Sequence, residues 1–131
     1  MKAPHDIPSN GAAMISSLRI MIVEDDAIIA LCLSELLTQI GGSVCAVSCT
    51  YDEAVADAAR HYPDLILVDA GLTTGSGIEA IQEITRTGFV RHIYVTGDAA
   101  RVREQVPNAI IVQKPFSLAC LKTAIASAYQ A

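Results

Sequence analysis

The chain has 131 residues, enough for one domain with a real core and too few for two ordinary ones. Hydrophobic residues make up 52% and charged residues 18%, which excludes intrinsic disorder. The net charge of -5, from 14 acidic and 9 basic residues with no basic cluster to offset it, argues against nucleic-acid binding.

Residues 1–17 include Pro4, Pro8, Ser9, Asn10 and Gly11 without a long apolar core, so they read as a flexible leader and not as a signal peptide. The domain proper is expected over 18–131. Leu18 to Val23 is an apolar run that predicts a first strand, ending in Glu24-Asp25-Asp26. From Ala27 to Ile40, Ile28, Leu31, Cys32, Glu35, Leu36 and Gln39 recur at helical spacing, with Gly41-Gly42 as the stop. The longest apolar stretch, Ala27 to Leu33, is far short of the ~20 residues a membrane helix needs, so no membrane association is expected.

Val44 to Ser48 predicts a second, shorter strand. Thr50 and Glu53 form a capping-box pattern at the head of an Ala-rich helix that runs to about His61 and is closed by Pro63. Leu65 to Val68 is the central strand, delivering Asp69 to a loop in which Gly71, Gly75 and Gly77 discourage regular structure. A third helix carries Ile78, Ile81 and Ile84 and ends near Gly88; Ile93 to Thr96 is the fourth strand. Asp98 to Val106 is a short fourth helix, Ala109 to Val112 the fifth strand, and Ser117 caps a last helix ending around Tyr129. Five strands alternating with five helices through short loops specify a doubly wound parallel sheet with right-handed crossovers. No repeat, linker or second domain is expected.

Cys32, Cys45, Cys49 and Cys120 follow no zinc or redox spacing and are expected to be reduced, with Cys32 and Cys120 acting as small hydrophobes on their helices. His5, His61 and His92 lack obvious partners and none is expected to be phosphorylated. With reduced thiols and residues 1–17 not reading as a signal peptide, a cytoplasmic location is expected.

In an open parallel sheet, ligands bind at the carboxyl ends of the strands. There this sequence places Glu24 and Asp25 after strand one, Asp69 after strand three, Thr96 after strand four and Lys114 after strand five. Asp69 alone could be a strand-end cap, and the 24–26 triplet could serve the helix that follows. Three adjacent carboxylates repel one another, however, unless a cation binds. Carboxylates from two strand ends suit Mg2+, which takes a few carboxylates together with waters and a phosphate. Thr96 and Lys114 would then hold the oxygens of a phosphoryl group carried by Asp69.

These residues make the chain resemble the receiver domain of two-component response regulators. The matching pieces are Ile-Val-Glu-Asp-Asp at 22–26, Leu-Ile-Leu-Val-Asp at 65–69, Gly77, Val-Thr-Gly at 95–97 and Lys-Pro-Phe at 114–116. The resemblance implies the five-stranded flavodoxin-like receiver fold, Asp69 as phosphoacceptor, and Glu24 and Asp25 as the acidic pair. It further implies the Gly71 backbone carbonyl as a magnesium ligand, Thr96 as switch hydroxyl and Lys114 as phosphate-binding lysine. A sensor histidine kinase or histidine phosphotransfer protein would be the donor. With no output domain expected, the signal would pass to an unknown downstream protein, or the chain would act as a phosphate shuttle or sink, as a monomer or weak dimer.

Three features depart from the family pattern. Thr73 replaces the usual proline four residues after the phosphoacceptor, Ile111 replaces the usual switch aromatic, and the fourth helix is short. The first two departures resemble a subgroup of stand-alone receivers marked by Phe-Ala-Thr-Gly followed by an aromatic, which Tyr94-Val95-Thr96-Gly97 fits loosely while Ala99 misses the aromatic. Tyr94 shares a sheet face with Thr96 and is expected to occupy space the switch aromatic would have filled. The enzyme-class rival is a magnesium-dependent phosphohydrolase of the haloacid-dehalogenase kind. Those enzymes need an acid two residues after the nucleophile, where this chain has Gly71. The chain is therefore expected not to be an enzyme beyond weak self-dephosphorylation.

Overall fold

The structure is a computed structural model that describes residues 15–73 and 75–130. Its strands are β1 (Arg19–Val23), β2 (Ser43–Ser48), β3 (Leu65–Asp69), β4 (Arg91–Thr96) and β5 (Ile111–Gln113). Its helices are α1 (Ala27–Gln39), α2 (Tyr51–His61), α3 (Gly77–Ile84), α4 (Ala99–Gln105) and α5 (Leu118–Ala128). The strands form one sheet in the order β2-β1-β3-β4-β5, every pair parallel. The expected doubly wound, five-stranded architecture is therefore the observed one.

Successive strand residues face opposite sides of a sheet, so each strand contributes to two cores. On one side Ile20, Ile22, Leu65, Leu67, Ile93 and Val95 pack against Leu33 and Leu37 of α1 and Leu121 and Ile125 of α5. On the other, Met21, Val23, Ile66, Val68 and Tyr94 meet α2, α3 and α4 through Ala54, Ala58, Ile78, Ile81 and Val102. All five residues of β3 are buried, which is why its run has no polar alternation. The helices start at side-chain caps: Asp26 accepts from Ile28 and Ile29 N–H, Thr50 from Glu53, Ser76 from Ile78 and Glu79, Asp98 from Arg101, and Ser117 from Cys120. Glu53 reaches back to the N–H of Cys49, one residue short of the box partner, at 2.8 Å.

Several expectations need correction. The helical series read on α1 lies largely on the wrong face: Ile28 is 74% and Leu31 58% exposed, while Ala30, Leu33 and Leu37 are buried. Cys32 and Cys120 are exposed and do not act as core hydrophobes; Cys49 is exposed and Cys45 half-buried. The glycine-rich loop after β3 is not irregular throughout, because Gly71–Leu72 pairs antiparallel with Gly75–Ser76 and α3 begins on Gly77 itself. The last strand starts at Ile111 and not at Ala109. Of the expected leader, residues 1–14 lie outside the described residues. Ile15 is buried in the α1–α5 core, so core packing starts before Leu18.

Candidate functional site

The parallel sheet brings the carboxyl ends of β1, β3, β4 and β5 to one edge. Glu24 directly follows β1, and its N–H bonds the Ser48 carbonyl at 2.9 Å, which continues the β1–β2 ladder past the strand end. The Glu24 carboxylate is 1% exposed. One of its oxygens, Oε1, accepts from Lys114 Nζ at 3.0 Å, and Oε2 from the Asp26 N–H at 3.1 Å. Asp69 closes β3; its Oδ2 accepts from the same Lys114 ammonium at 3.3 Å and its Oδ1 from the Gly71 N–H at 3.0 Å. Lys114 is positioned by its own backbone N–H, which donates to the Thr96 carbonyl at 2.8 Å just past the β4–β5 pairing. The Lys114–Pro115 peptide is cis.

Asp25 completes the acidic group. Its Oδ2 accepts from the backbone N–H of Thr73 at 2.7 Å and also from the Thr73 hydroxyl. One carboxylate oxygen from each of Glu24, Asp25 and Asp69 lies within 4.8 Å of the other two. Thr96 is buried at the end of β4, and its Oγ1 accepts from the Asp98 N–H at 3.0 Å. A cleft of about 720 Å³ opens over Asp69, Gly71, Ser76, Thr96, Arg101 and Lys114. Gly77 sets the floor beside Asp69, since a Cβ there would sit 1.9 Å from the Asp69 carbonyl oxygen. Any larger residue would push α3 away from Asp69.

Charge is unevenly compensated here. Burial drives the Glu24 carboxyl from 4.5 up to about 7, against the pull of the Asp26 N–H and Lys114, and neighbouring Asp69 adds to the rise. Burial works to lower Lys114, but its bonds and attractions to Glu24 and Asp69 outweigh that and hold it above its ordinary value. The Thr73 hydrogen bond is the leading cause that lowers Asp25. One ammonium thus serves two buried carboxylates with a third carboxylate beside them. That donor set, all hard oxygens within one cation's reach, fits a divalent ion such as Mg2+.

The description of the matching family model is "Response regulator receiver domain", and it spans residues 20–126. The chain belongs to the response regulator receiver family. The phyllosphere-induced regulator PhyR of Methylorubrum extorquens is 34% identical over 113 residues, covering 83% of this chain and 42% of that protein. The transcriptional regulatory protein PdtaR of Mycobacterium tuberculosis is 31% identical over 123 residues, covering 90% of this chain and 60% of that one. The chain thus spans less than two thirds of the length of these curated relatives. Among solved structures, the solution structure of the PhyR response regulator REC domain of Erythrobacter litoralis superposes with a TM-score of 0.78 at 28% identity, covering 86% of this chain and 89% of that one. Receiver domains are signalling modules of two-component systems, and they bind Mg2+ at an acidic pocket of the kind formed here by Glu24, Asp25 and Asp69.

The residues read from the receiver motifs therefore converge: Glu24, Asp25, Asp69 and Lys114 form one cluster, and Thr96 and Gly71 line the adjoining cleft with Asp69 and Lys114. Sequence reasoning noted Thr73 as a departure but missed its bond to Asp25, for which a separation of 48 residues leaves no local signal. Arg101, a second cation lining the cleft, was missed as well. Of the histidines, His92 has neighbours: its Nδ1 lies 2.7 Å from the Val90 carbonyl and its ring centroid 5.5 Å from that of Tyr94. The His61 carbonyl accepts from the Arg19 guanidinium. His5 lies outside the described residues.

Proposed function

We propose that this receiver accepts a phosphoryl group on Asp69 from the phosphohistidine of a histidine kinase or histidine phosphotransfer protein. The observation that carries this is the Lys114 ammonium bridging Glu24 and Asp69 beside the third acid, at the mouth of an open cleft. An Asp69 carboxylate oxygen attacks phosphorus, the P–O bond forms as the P–N bond breaks, and the imidazole nitrogen keeps the electron pair and takes up a proton. Glu24, Asp25, Asp69 and the Gly71 carbonyl would hold Mg2+, which offsets the charge gathering on the phosphoryl oxygens. Lys114 neutralises one phosphoryl oxygen once Asp69 has lost its own charge by becoming a mixed carboxylic–phosphoric anhydride. The Thr96 hydroxyl is the switch contact: its oxygen accepts from the Asp98 N–H, and its own O–H donates to a phosphoryl oxygen on Asp69. Slow hydrolysis by water returns the free acid, and the site is not built for turnover of outside substrates. A haloacid-dehalogenase-type hydrolase is disfavoured because the position that must supply its general acid is Gly71.

The donor's docking surface is read from α1. Beside Lys114, a groove of about 870 Å³ runs between α1 and the β5–α5 loop, lined by Ile29, Cys32, Leu36, Pro115 and Phe116. Ile28 and Leu31 are large exposed apolar side chains on the same helix. An apolar surface of that kind marks a protein contact, and its continuity with the phosphoacceptor cleft through Lys114 suits a protein that must bring a phosphohistidine to Asp69. The phosphorylated form then signals by protein contact or passes its phosphoryl group onward.

The test is phosphotransfer from an autophosphorylated histidine kinase of the source organism. Leu31→Glu is expected to suppress transfer from the protein donor while leaving uptake from the small donor acetyl phosphate intact. Equal transfer from the kinase in Leu31→Glu and the parent would overturn the docking surface, and transfer to Asp69→Asn would overturn the acceptor.

A further inference from the structure

We propose that Thr73 is a positioning residue for the metal-binding acid Asp25, a role that rests on the reading of Glu24, Asp25 and Asp69 as the magnesium site. Thr73 presents two donors, its backbone N–H and its hydroxyl, and both end on Asp25 Oδ2. A carboxylate has two oxygens and about four lone-pair sites, so this grip leaves capacity for a cation. The gripped carboxylate still stands with an oxygen within 4.8 Å of those of Glu24 and Asp69. Thr73 therefore holds Asp25 in a pose that already suits metal binding.

The grip is firm because Thr73 is fixed by its own chain. Leu72, immediately before it, is buried in the α2–α3 core, and its partner in the short antiparallel ladder is Gly75. Beyond that ladder, Gly77 packs against the Asp69 backbone. The loop is tied to the central strand on both sides, so Thr73 relates the position of Asp25, after β1, to that of Asp69, after β3. Without such a partner, a partly exposed aspartate samples several rotamers and must be ordered when the cation arrives. Groups behind a metal ligand commonly tune affinity in this way. The proline usual in the family could not act so, since it has neither an N–H nor a hydroxyl.

The experiment is a calorimetric Mg2+ titration of the unphosphorylated protein, with no phosphodonor present. Thr73→Val keeps the backbone donor and loses the hydroxyl, so its magnesium affinity is expected to fall by about threefold to tenfold. Thr73→Ser keeps both donors and is expected to match the parent, whereas Thr73→Pro loses both and is expected to fall at least as far as Thr73→Val. Amide NMR spectra of the metal-free variants confirm that each is folded. A merely structural role would change melting temperature without this ordering of affinities. Parent-like affinity in Thr73→Val overturns the positioning role. Asp25→Asn serves as the reference: if it weakens magnesium binding while Thr73→Val does not, only the Thr73 assignment fails. If Asp25→Asn has no effect, the acidic site itself fails and the Thr73 assignment with it.

Discussion

Glu24 makes the stability of the magnesium-free protein depend on pH in a direction opposite to that of an ordinary ion-paired carboxylate. Its carboxyl is buried and held up at about 7, against 4.5 when unfolded. The native state therefore keeps a proton that the unfolded chain has already released between those values. By linkage, stability is full below the unfolded value and falls as pH rises through the native one. At 1.36 kcal/mol per pKa unit, the loss is at most about 3 kcal/mol, and sharing of Lys114 between Glu24 and Asp69 makes the titration a property of the cluster. Urea denaturation in the presence of a chelator, at about pH 5 and about pH 8, reads this difference as a change in the midpoint at constant slope. Glu24→Gln removes the titrating group while nearly keeping its shape. Its stability is offset by a constant, since the amide cannot accept from both Lys114 and the Asp26 N–H, but the pH-dependent loss should shrink. Saturating Mg2+ should also shrink it in the parent, because the cation favours the ionised acids. A parent protein equally stable at both pH values, or an undiminished loss in Glu24→Gln, would refute the reasoning.

Gly77→Ala should destabilise the fold by about 2 kcal/mol or more and slow phosphorylation, because its Cβ would meet the Asp69 carbonyl oxygen at 1.9 Å; thermal melting and acetyl phosphate uptake together check this. Thr50→Ala should cost about 1 kcal/mol through the lost cap on α2 and leave phosphorylation unchanged, as read by urea unfolding and intact mass. Thr96→Ala should spare phosphoryl uptake more than partner binding, and equal losses in a transfer-plus-partner assay would contradict the switch role. Tyr94, buried and opposite Ile111 in the β4–β5 pairing, shares its core with Val102 of α4; amide exchange over 99–105 should change on phosphorylation, and change less in Tyr94→Leu.

The order of elements was legible because each strand is a compact apolar run and each helix opens at a capping residue, as with Thr50 and Ser117. The site was legible for a topological reason. In a parallel sheet every strand points its carboxyl end to the same edge, so Glu24, Asp25, Asp69, Thr96 and Lys114 converge once the strands are placed. The orientation of α1 was not legible. Apolar residues occur around most of that helix, so spacing alone could not choose between the Ala30–Leu33–Leu37 face and the Ile28–Leu31–Cys32 face. Packing decided it, leaving the second face for solvent or a partner. The ladder of Gly71–Leu72 with Gly75–Ser76 is too short to leave a periodic trace. The Thr73–Asp25 contact depends on two loops meeting in space, which no local pattern encodes. Burial of Ile15 was hidden by the polar, proline-containing composition of the segment before it.

The central claim, that Asp69 is the phosphoacceptor and needs Mg2+, is tested most directly by intact-mass spectrometry after incubation with acetyl phosphate. The parent protein should gain the mass of one phosphoryl group when Mg2+ is present and none with a chelator, and Asp69→Asn should gain none in either condition. Phosphoryl labelling that persists in Asp69→Asn, or that proceeds equally in the parent without Mg2+, would contradict the account.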